Sequence, residues 1–204
     1  MRLGIFGGTF DPIHLAHLLL AESCREACHL DKVWFVPAAC SPHKTDQQPS
    51  SDGARVEMLK LAIGGHPDFD VSTIEIDRGG VSYTVDTLDR IRHQQPAGEL
   101  FLLMGADSLA DLPTWREPSR ICQLATPCIV SRPSSPVVNL ERLARLVTAE
   151  KLAEIEQSLV KMPQLDISSS DLRQRVASGR SIRYRTPRAV EKFIEMQGLY
   201  RGGE

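Results

Sequence analysis

The chain has 204 residues, with 24 Lys and Arg against 26 Asp and Glu and a formal charge of −2. That balance gives no electrostatic case for a nucleic-acid polymer or an anionic membrane as partner, and no run reaches the roughly 18 apolar residues of a membrane span. Five cysteines with no C-x-x-C pair point to free thiols in a reducing cytoplasm, and an N-terminal apolar stretch broken by Asp11, Pro12 and two histidines does not read as a signal peptide.

In chain order, RLGIF (2–6) predicts a buried strand that ends at Gly7-Gly8, and residues 14–28 predict a helix. KVWFV (32–36) predicts a second strand closed by Pro37, followed by a Pro-, Ser- and Gln-rich loop to about Gly53. ARVEMLKLAI (54–63) places Val56, Leu59 and Ile63 on one helical face. VSTIEI (71–76) alternates as a strand does, and VDTLDRIR (85–92) returns to helical spacing. ELFLLMG (99–105) and PCIVS (127–131) predict two further strands. The last third turns helical. An amphipathic stretch covers 139–157, a serine cluster precedes a helix in LDISSSDLRQRV (165–176), and PRAVEKFIEMQGLY (187–200) starts with Pro187 in its first turn.

Strands alternating with helices predict an α/β fold, a Rossmann-like doubly wound parallel sheet covered on both faces. The expected organisation is a single domain over 1–204 with a helical C-terminal lobe from about 165 to 204. Ligands of such sheets bind beyond the carboxyl ends of the strands. The segments that fall there are Gly7–His17, Pro37–Lys44 and Gly105–Trp115.

The first of these has no G-x-x-x-x-G-K-[ST] and no G-x-G-x-x-G. It is a tight two-glycine turn feeding a helix. Glycines let a backbone approach a ligand, and a helix N-terminus favours negative charge. His14 and His17, three apart, could donate to phosphate oxygens there. The residues alone leave three readings open: a phosphate site, a packed structural turn, and a histidine pair for a metal that lacks an evident third ligand.

GGTFDPIHLAH (7–17) resembles the signature of the nucleotidyltransferase superfamily, and in this form that of the bacterial nicotinate-mononucleotide adenylyltransferase family. The likeness continues in order along the chain. SPHK (41–44) is similar to that family's P-P-H-K, and YTVDTL (83–88) to its Y-T-x-D-T-L. MGADSLADLPTW (104–115) is similar to its G-x-D-x-L-x-x-L-x-x-W, and ISSSDLR (167–173) to its I-S-S-T-x-I-R. The chain departs from the pattern at Ala16 for glycine, Ser41 for proline and Ser170 for threonine, and Arg116 stands where an aromatic residue is frequent.

The resemblance implies transfer of AMP from ATP to the 5′-phosphate of nicotinate mononucleotide, with release of pyrophosphate, in NAD biosynthesis. Mg²⁺ would enter with ATP, with no metal ligands assigned to the protein. His14, His17 and Arg173 are the implied catalytic residues. Gly7, Gly8, Thr9, Phe10, Gly105, Asp107, Ile167, Ser168, Ser169 and Ser170 are implied for ATP, with Asp107 on a ribose. Lys44, Thr84, Trp115 and Arg116 are implied for nicotinate mononucleotide: Lys44 on its phosphate, Trp115 stacked on the pyridine, and the Thr84 hydroxyl and Arg116 N–H on the carboxylate. The alternatives are a transferase of the same fold for nicotinamide mononucleotide, for both mononucleotides or for phosphopantetheine, and a non-catalytic nucleotide sensor. Retention of both histidines and Arg173 speaks against the sensor, and YTVDTL with Trp115 against the pantetheine form.

Overall fold

The computed structural model describes residues 1–40, 49–131 and 140–201. Among these, β1 (Arg2–Gly8), β2 (Lys32–Pro37), β3 (Phe69–Val71), β4 (Glu99–Gly105), β5 (Thr126–Ser131) and β6 (Leu159–Lys161) form one sheet. Its order is β3-β2-β1-β4-β5-β6 and every neighbouring pair is parallel. This is the doubly wound order, in which the direction of winding reverses between β1 and β4 and opens a crevice at their carboxyl ends.

The two faces of the sheet carry two apolar clusters, as strand alternation requires. Leu100, Leu102 and Met104 of β4 join Leu3 and Ile5 in one cluster, whereas Phe101 and Leu103 join Phe6, Val33 and Phe35 in the other. The first cluster receives α4 (Thr84–Gln94), α5 (Ala106–Asp111), α6 (Pro118–Leu124) and α7 (Ala149–Gln157). The second receives α1 (Leu15–Ala27), α2 (Asp52–Ile63), α8 (Ser169–Ala177) and α9 (Arg188–Gln197). Cys24, Cys28 and Cys128 are buried in the second cluster as small apolar residues, and all five cysteines are free thiols.

Several boundaries differ from the sequence expectation for identifiable reasons. The alternating stretch 71–76 is not a strand: the edge strand β3 ends at Val71, and Ile74–Arg78 forms a short helix, α3. A carboxylate cannot sit in a sheet face without a donor, and Glu75 finds its donor by turning toward α4. The amphipathic stretch 139–157 is broken, because Thr148 caps α7 by accepting from the Lys151 N–H, which leaves Leu140–Arg145 as a separate 3-10 turn. Pro187 precedes α9 as its N-cap rather than lying in its first turn. The short elements α5, α6 and β6 had no clear periodic signal.

One glycine in the core is fixed by close packing. A Cβ on Gly4 in the central strand would lie 2.8 Å from Leu30 Cδ1 and 3.0 Å from Leu103 Cδ1. Gly4→Val is therefore expected to lower the unfolding free energy by about 1–3 kcal/mol through overpacking, read as a lower urea midpoint at unchanged m-value.

Candidate active site

The turn after β1 is short of partners for its own carbonyls, and distant side chains supply them. Arg55 of α2, with no exposed surface, donates Nη1 to the Thr9 carbonyl at 3.0 Å and Nε to the Ser50 carbonyl at 3.2 Å. Arg173 of α8 donates Nη1 to the Asp11 carbonyl at 2.8 Å. Ser169 donates its hydroxyl to the Pro12 carbonyl at 2.9 Å, and the buried Thr186 donates to the Ile13 carbonyl at 2.8 Å. The first helical N–H of α1, on Leu15, reaches the Arg185 carbonyl at 3.0 Å. A trans peptide holds its C=O and the following N–H in opposite directions. Fixing the Thr9 carbonyl against α2 therefore turns the Phe10 N–H the other way, and fixing the Pro12 carbonyl does the same for Ile13.

Asp11 is also held from behind. Its carboxylate, in a residue only 5 % exposed, accepts from the Tyr200 hydroxyl and from the Ser50 N–H at 3.3 Å. Burial and the adjacent Asp11 carboxylate push the Tyr200 phenol above its ordinary pKa, so it stays a donor.

The histidines stand at the start of α1. His14 is its N-cap, and the two rings stack with centroids 3.6 Å apart. The His14 N–H donates to His17 Nδ1 at 3.3 Å. With Nδ1 accepting, the proton of a neutral His17 ring lies on Nε2. The edges of Phe10 and Phe6 close the sides of that ring, at centroid distances of 5.2 and 6.0 Å. Phe10 itself is 2 % exposed and takes a left-handed φ of 51°. A Cβ on Gly8 would meet its ring at 3.0 Å, so this glycine is required by the packing of the turn.

A cavity of about 670 Å³ opens beside the turn, at the reversal between β1 and β4. Gly7, Gly8 and Thr9 bound it on the β1 side, and Gly105, Trp115 and Arg116 on the β4 side. Tyr83, Thr84 and Thr87 bring the first turn of α4 to its wall. The Arg116 guanidinium lies 4.8 Å from the Tyr83 ring centre and 3.7 Å from the Asp86 carboxylate. Glu75, 7 % exposed, also lines the cavity, and its Oε1 accepts from the Thr87 hydroxyl at 2.6 Å. Burial pushes its carboxyl above the usual range, against the pull of hydroxyl donors and of Arg78 and Arg55. A second cavity of about 620 Å³ lies at the amino ends of β1, β4 and β5. Its Arg2 and Arg92 are committed to the Cys28, Gly98 and Leu124 carbonyls, so it offers no comparable site.

A crevice at a winding reversal, with a glycine turn and two histidines at one side, is shared by many nucleotide-binding folds, and comparison with known proteins narrows it. The cytidylyltransferase-like family model matches residues 5–175. A protein of Roseiflexus sp. described as a probable nicotinate-nucleotide adenylyltransferase is 50 % identical over 201 residues, covering 98 % of both chains. One of Thermus thermophilus with the same description is 45 % identical, covering 98 % of this chain and 100 % of its own. The chain belongs to the nicotinate-nucleotide adenylyltransferase family. Among solved structures, the nicotinic acid mononucleotide adenylyltransferase of Plasmodium falciparum, determined in complexes with APC and with NaAD, aligns at a TM-score of 0.74. At 18 % and 19 % identity over 98 % of this chain, that likeness bears on the fold.

Against the family motifs, the structure sorts the expected residues into two groups. Gly7, Gly8, Thr9, Gly105, Thr84, Trp115 and Arg116 share the cavity wall. Phe10, His14, His17, Ser169 and Arg173 cluster around the pinned turn. Ser168 caps α8 by accepting from the Asp171 N–H at 3.1 Å, with Ile167 just before it, and the Ser170 hydroxyl faces Arg173 Nη2 at 3.5 Å. Asp107 is exposed in the first turn of α5, whose N-cap is Gly105. Ala16 is buried, and its methyl is accommodated in the core. Lys44 and Ser41 lie outside the described residues. Sequence reasoning assigned no site role to Asp11, Arg55, Glu75, Thr87, Thr186 or Tyr200. The available signal was an acidic or basic residue inside an apolar stretch, as in VSTIEI, FDPI and ARVEML.

Proposed function

We propose that this chain transfers the adenylyl group of ATP to the 5′-phosphate of nicotinate mononucleotide, giving nicotinate adenine dinucleotide and pyrophosphate in NAD biosynthesis. The observation that carries the proposal is one cavity bounded by the two-glycine turn on one side and by Thr84, Trp115 and Arg116 on the other. The names of relatives up to 50 % identical support it. The attacking group is itself a phosphate, whose second pKa near 6 leaves it mostly deprotonated at neutral pH. No general base is needed. The work is to align two polyanions and to stabilise charge on the departing pyrophosphate.

In this reading, the N–H groups around Gly8, Thr9 and Phe10 and the rings of His14 and His17 receive the ATP phosphates, with His17 Nε2–H toward the transferred one. Ser168, Ser169 and Ser170, at the N-terminus of α8 with Ile167 ahead of them, face the β- and γ-phosphates with the helix dipole behind them. Arg173 holds the Asp11 carbonyl with one nitrogen and presents its planar fork to phosphate with the rest. Gly105 and Asp107 take the ribose side. Lys44 meets the mononucleotide phosphate, and Trp115 stacks on the pyridine ring. The Thr84 hydroxyl and the Arg116 N–H take the carboxylate, aided by the N-terminus of α4.

Among the described residues no group of three or more His, Cys, Asp or Glu side chains could hold a metal ion, a donor set that suits a cation carried by phosphates and water. Mg²⁺ bound with ATP would neutralise charge on the leaving pyrophosphate. The same reading treats residues 1–204 as one nucleotidyltransferase domain, because the segment from about 165 returns to hold the catalytic turn. Among the described residues no helix is long and apolar enough to cross a membrane, and the reading places the enzyme in the cytoplasm.

His17→Ala is expected to lower kcat by about 100-fold while the protein still folds, the scale of losing one preorganised donor. Steady-state turnover alongside circular dichroism checks this, and near-normal turnover removes the role. Pyrophosphate release with Mg-ATP and each mononucleotide tests the whole reading. A fixed N–H donor cannot accept from a carboxamide NH₂, so nicotinate mononucleotide is expected to be favoured at least about tenfold in kcat/KM. Equal efficiencies, or a preference for the amide, would replace this reading with the nicotinamide or dual-specificity one.

A further inference from the structure

We propose that Glu75 is a positioning residue for the pyridine-mononucleotide half of the site, acting through the Thr87 hydroxyl. The proposal rests on the adenylyl-transfer reading above and extends it to a residue outside the reacting groups.

A carboxylate is buried only where donors meet it. Glu75 sits on α3 and is 7 % exposed, yet it lies against the cavity wall. Thr87 gives Oγ1–H to Glu75 Oε1 at 2.6 Å. Thr87 lies three residues beyond Thr84, so both stand on one face of the first helical turn. The Ser82 hydroxyl lies beside the same carboxyl and lowers its pKa. Ser82 Oγ accepts from the Ala39 N–H at 3.0 Å, and the Ser82 N–H donates to the Cys40 carbonyl at 2.9 Å. Cys40 and Val81 form an isolated parallel bridge beside these bonds. The Ala38 N–H in turn reaches the Gly8 carbonyl at 2.9 Å.

One carboxylate therefore ties α3 to the first turn of α4, which presents Thr84, a group assigned above to the mononucleotide. The carbonyls of Thr9, Asp11, Pro12 and Ile13 on the ATP side are held by other side chains, Arg55, Arg173, Ser169 and Thr186, with the Ala38 N–H on the Gly8 carbonyl as a backbone link between the two halves. Loss of the Glu75 link should loosen one half of the site and spare the other.

The test is bisubstrate kinetics on Glu75→Ala, Glu75→Gln and Thr87→Val, with calorimetric titration of nicotinate mononucleotide alone as a readout independent of turnover. Glu75→Ala is expected to raise the mononucleotide KM and Kd by about tenfold or more, with the ATP KM within about twofold. Glu75→Gln keeps an acceptor for Thr87 and should recover most of the loss. If Glu75→Ala fails to fold, Thr87→Val removes the donor with its shape kept and should give the same split. Equal losses for both substrates, or unchanged mononucleotide binding in Glu75→Ala or in Thr87→Val, would overturn the proposal. Wild-type protein that releases no pyrophosphate with nicotinate mononucleotide would overturn the reading beneath it as well, which separates the two failures.

Discussion

The carbonyl groups of residues 9–13 cannot all be satisfied within so tight a turn, and the rest of the site depends on how they are met. Four of them are bonded by side chains from α2, from α8 and from the segment before α9. The two hydroxyl bonds contribute about 0.5–1.5 kcal/mol net each and the two from Arg55 and Arg173 about 1.5–3 kcal/mol each, and a buried carbonyl left without a donor costs about 1–3 kcal/mol. The turn therefore has one arrangement in which every partner is in place. In that arrangement the Phe10 N–H faces away from Arg55 and the Ile13 N–H away from Ser169. Under the proposed reading this is preorganisation, because the donors are set before a phosphate binds.

The same constraint explains the order of the chain. The sheet could close with β6, yet α8 and α9 follow and return to β1. They supply Ser169, Arg173 and Thr186 to the turn and Tyr200 to Asp11. The serines at the start of α8 are thereby mounted on the element that fixes the histidine turn, so the two are registered to each other. In the proposed reading the pyridine half is built differently, on α3 and the first turn of α4, where Glu75 accepts from Thr87.

Much of this was readable in the sequence where one element carries the signal. β1, β2, β4 and β5 are continuous apolar runs, and their parallel arrangement followed from the helices between them. The glycine turn and the Y-T-x-D-T-L stretch fall on the wall of the cavity, and the serine cluster falls beside the turn. What escaped depends on contacts between distant residues. Stretch 71–76 alternates like a strand, and only the Thr87 hydroxyl twelve residues on explains why Glu75 leaves the sheet. Arg55, Thr186 and Tyr200 act on backbone carbonyls or on a single buried carboxylate. Every residue has a carbonyl, so no pattern of side chains announces such a bond. β6 spans Leu159–Lys161 alone, too short for periodicity to show.

The most direct measurement is the turnover of Thr186→Val. Thr186 is 3 % exposed, is assigned no contact with substrate, and bonds only the Ile13 carbonyl through its side chain among the described residues. Valine keeps the shape and removes the donor. If the remote bonds hold the turn in its catalytic form, kcat should fall by about tenfold or more in protein that still folds, with the mononucleotide KM changed far less. Wild-type kcat accompanied only by a lower melting temperature would contradict the account, and would reduce these bonds to ordinary stabilising contacts.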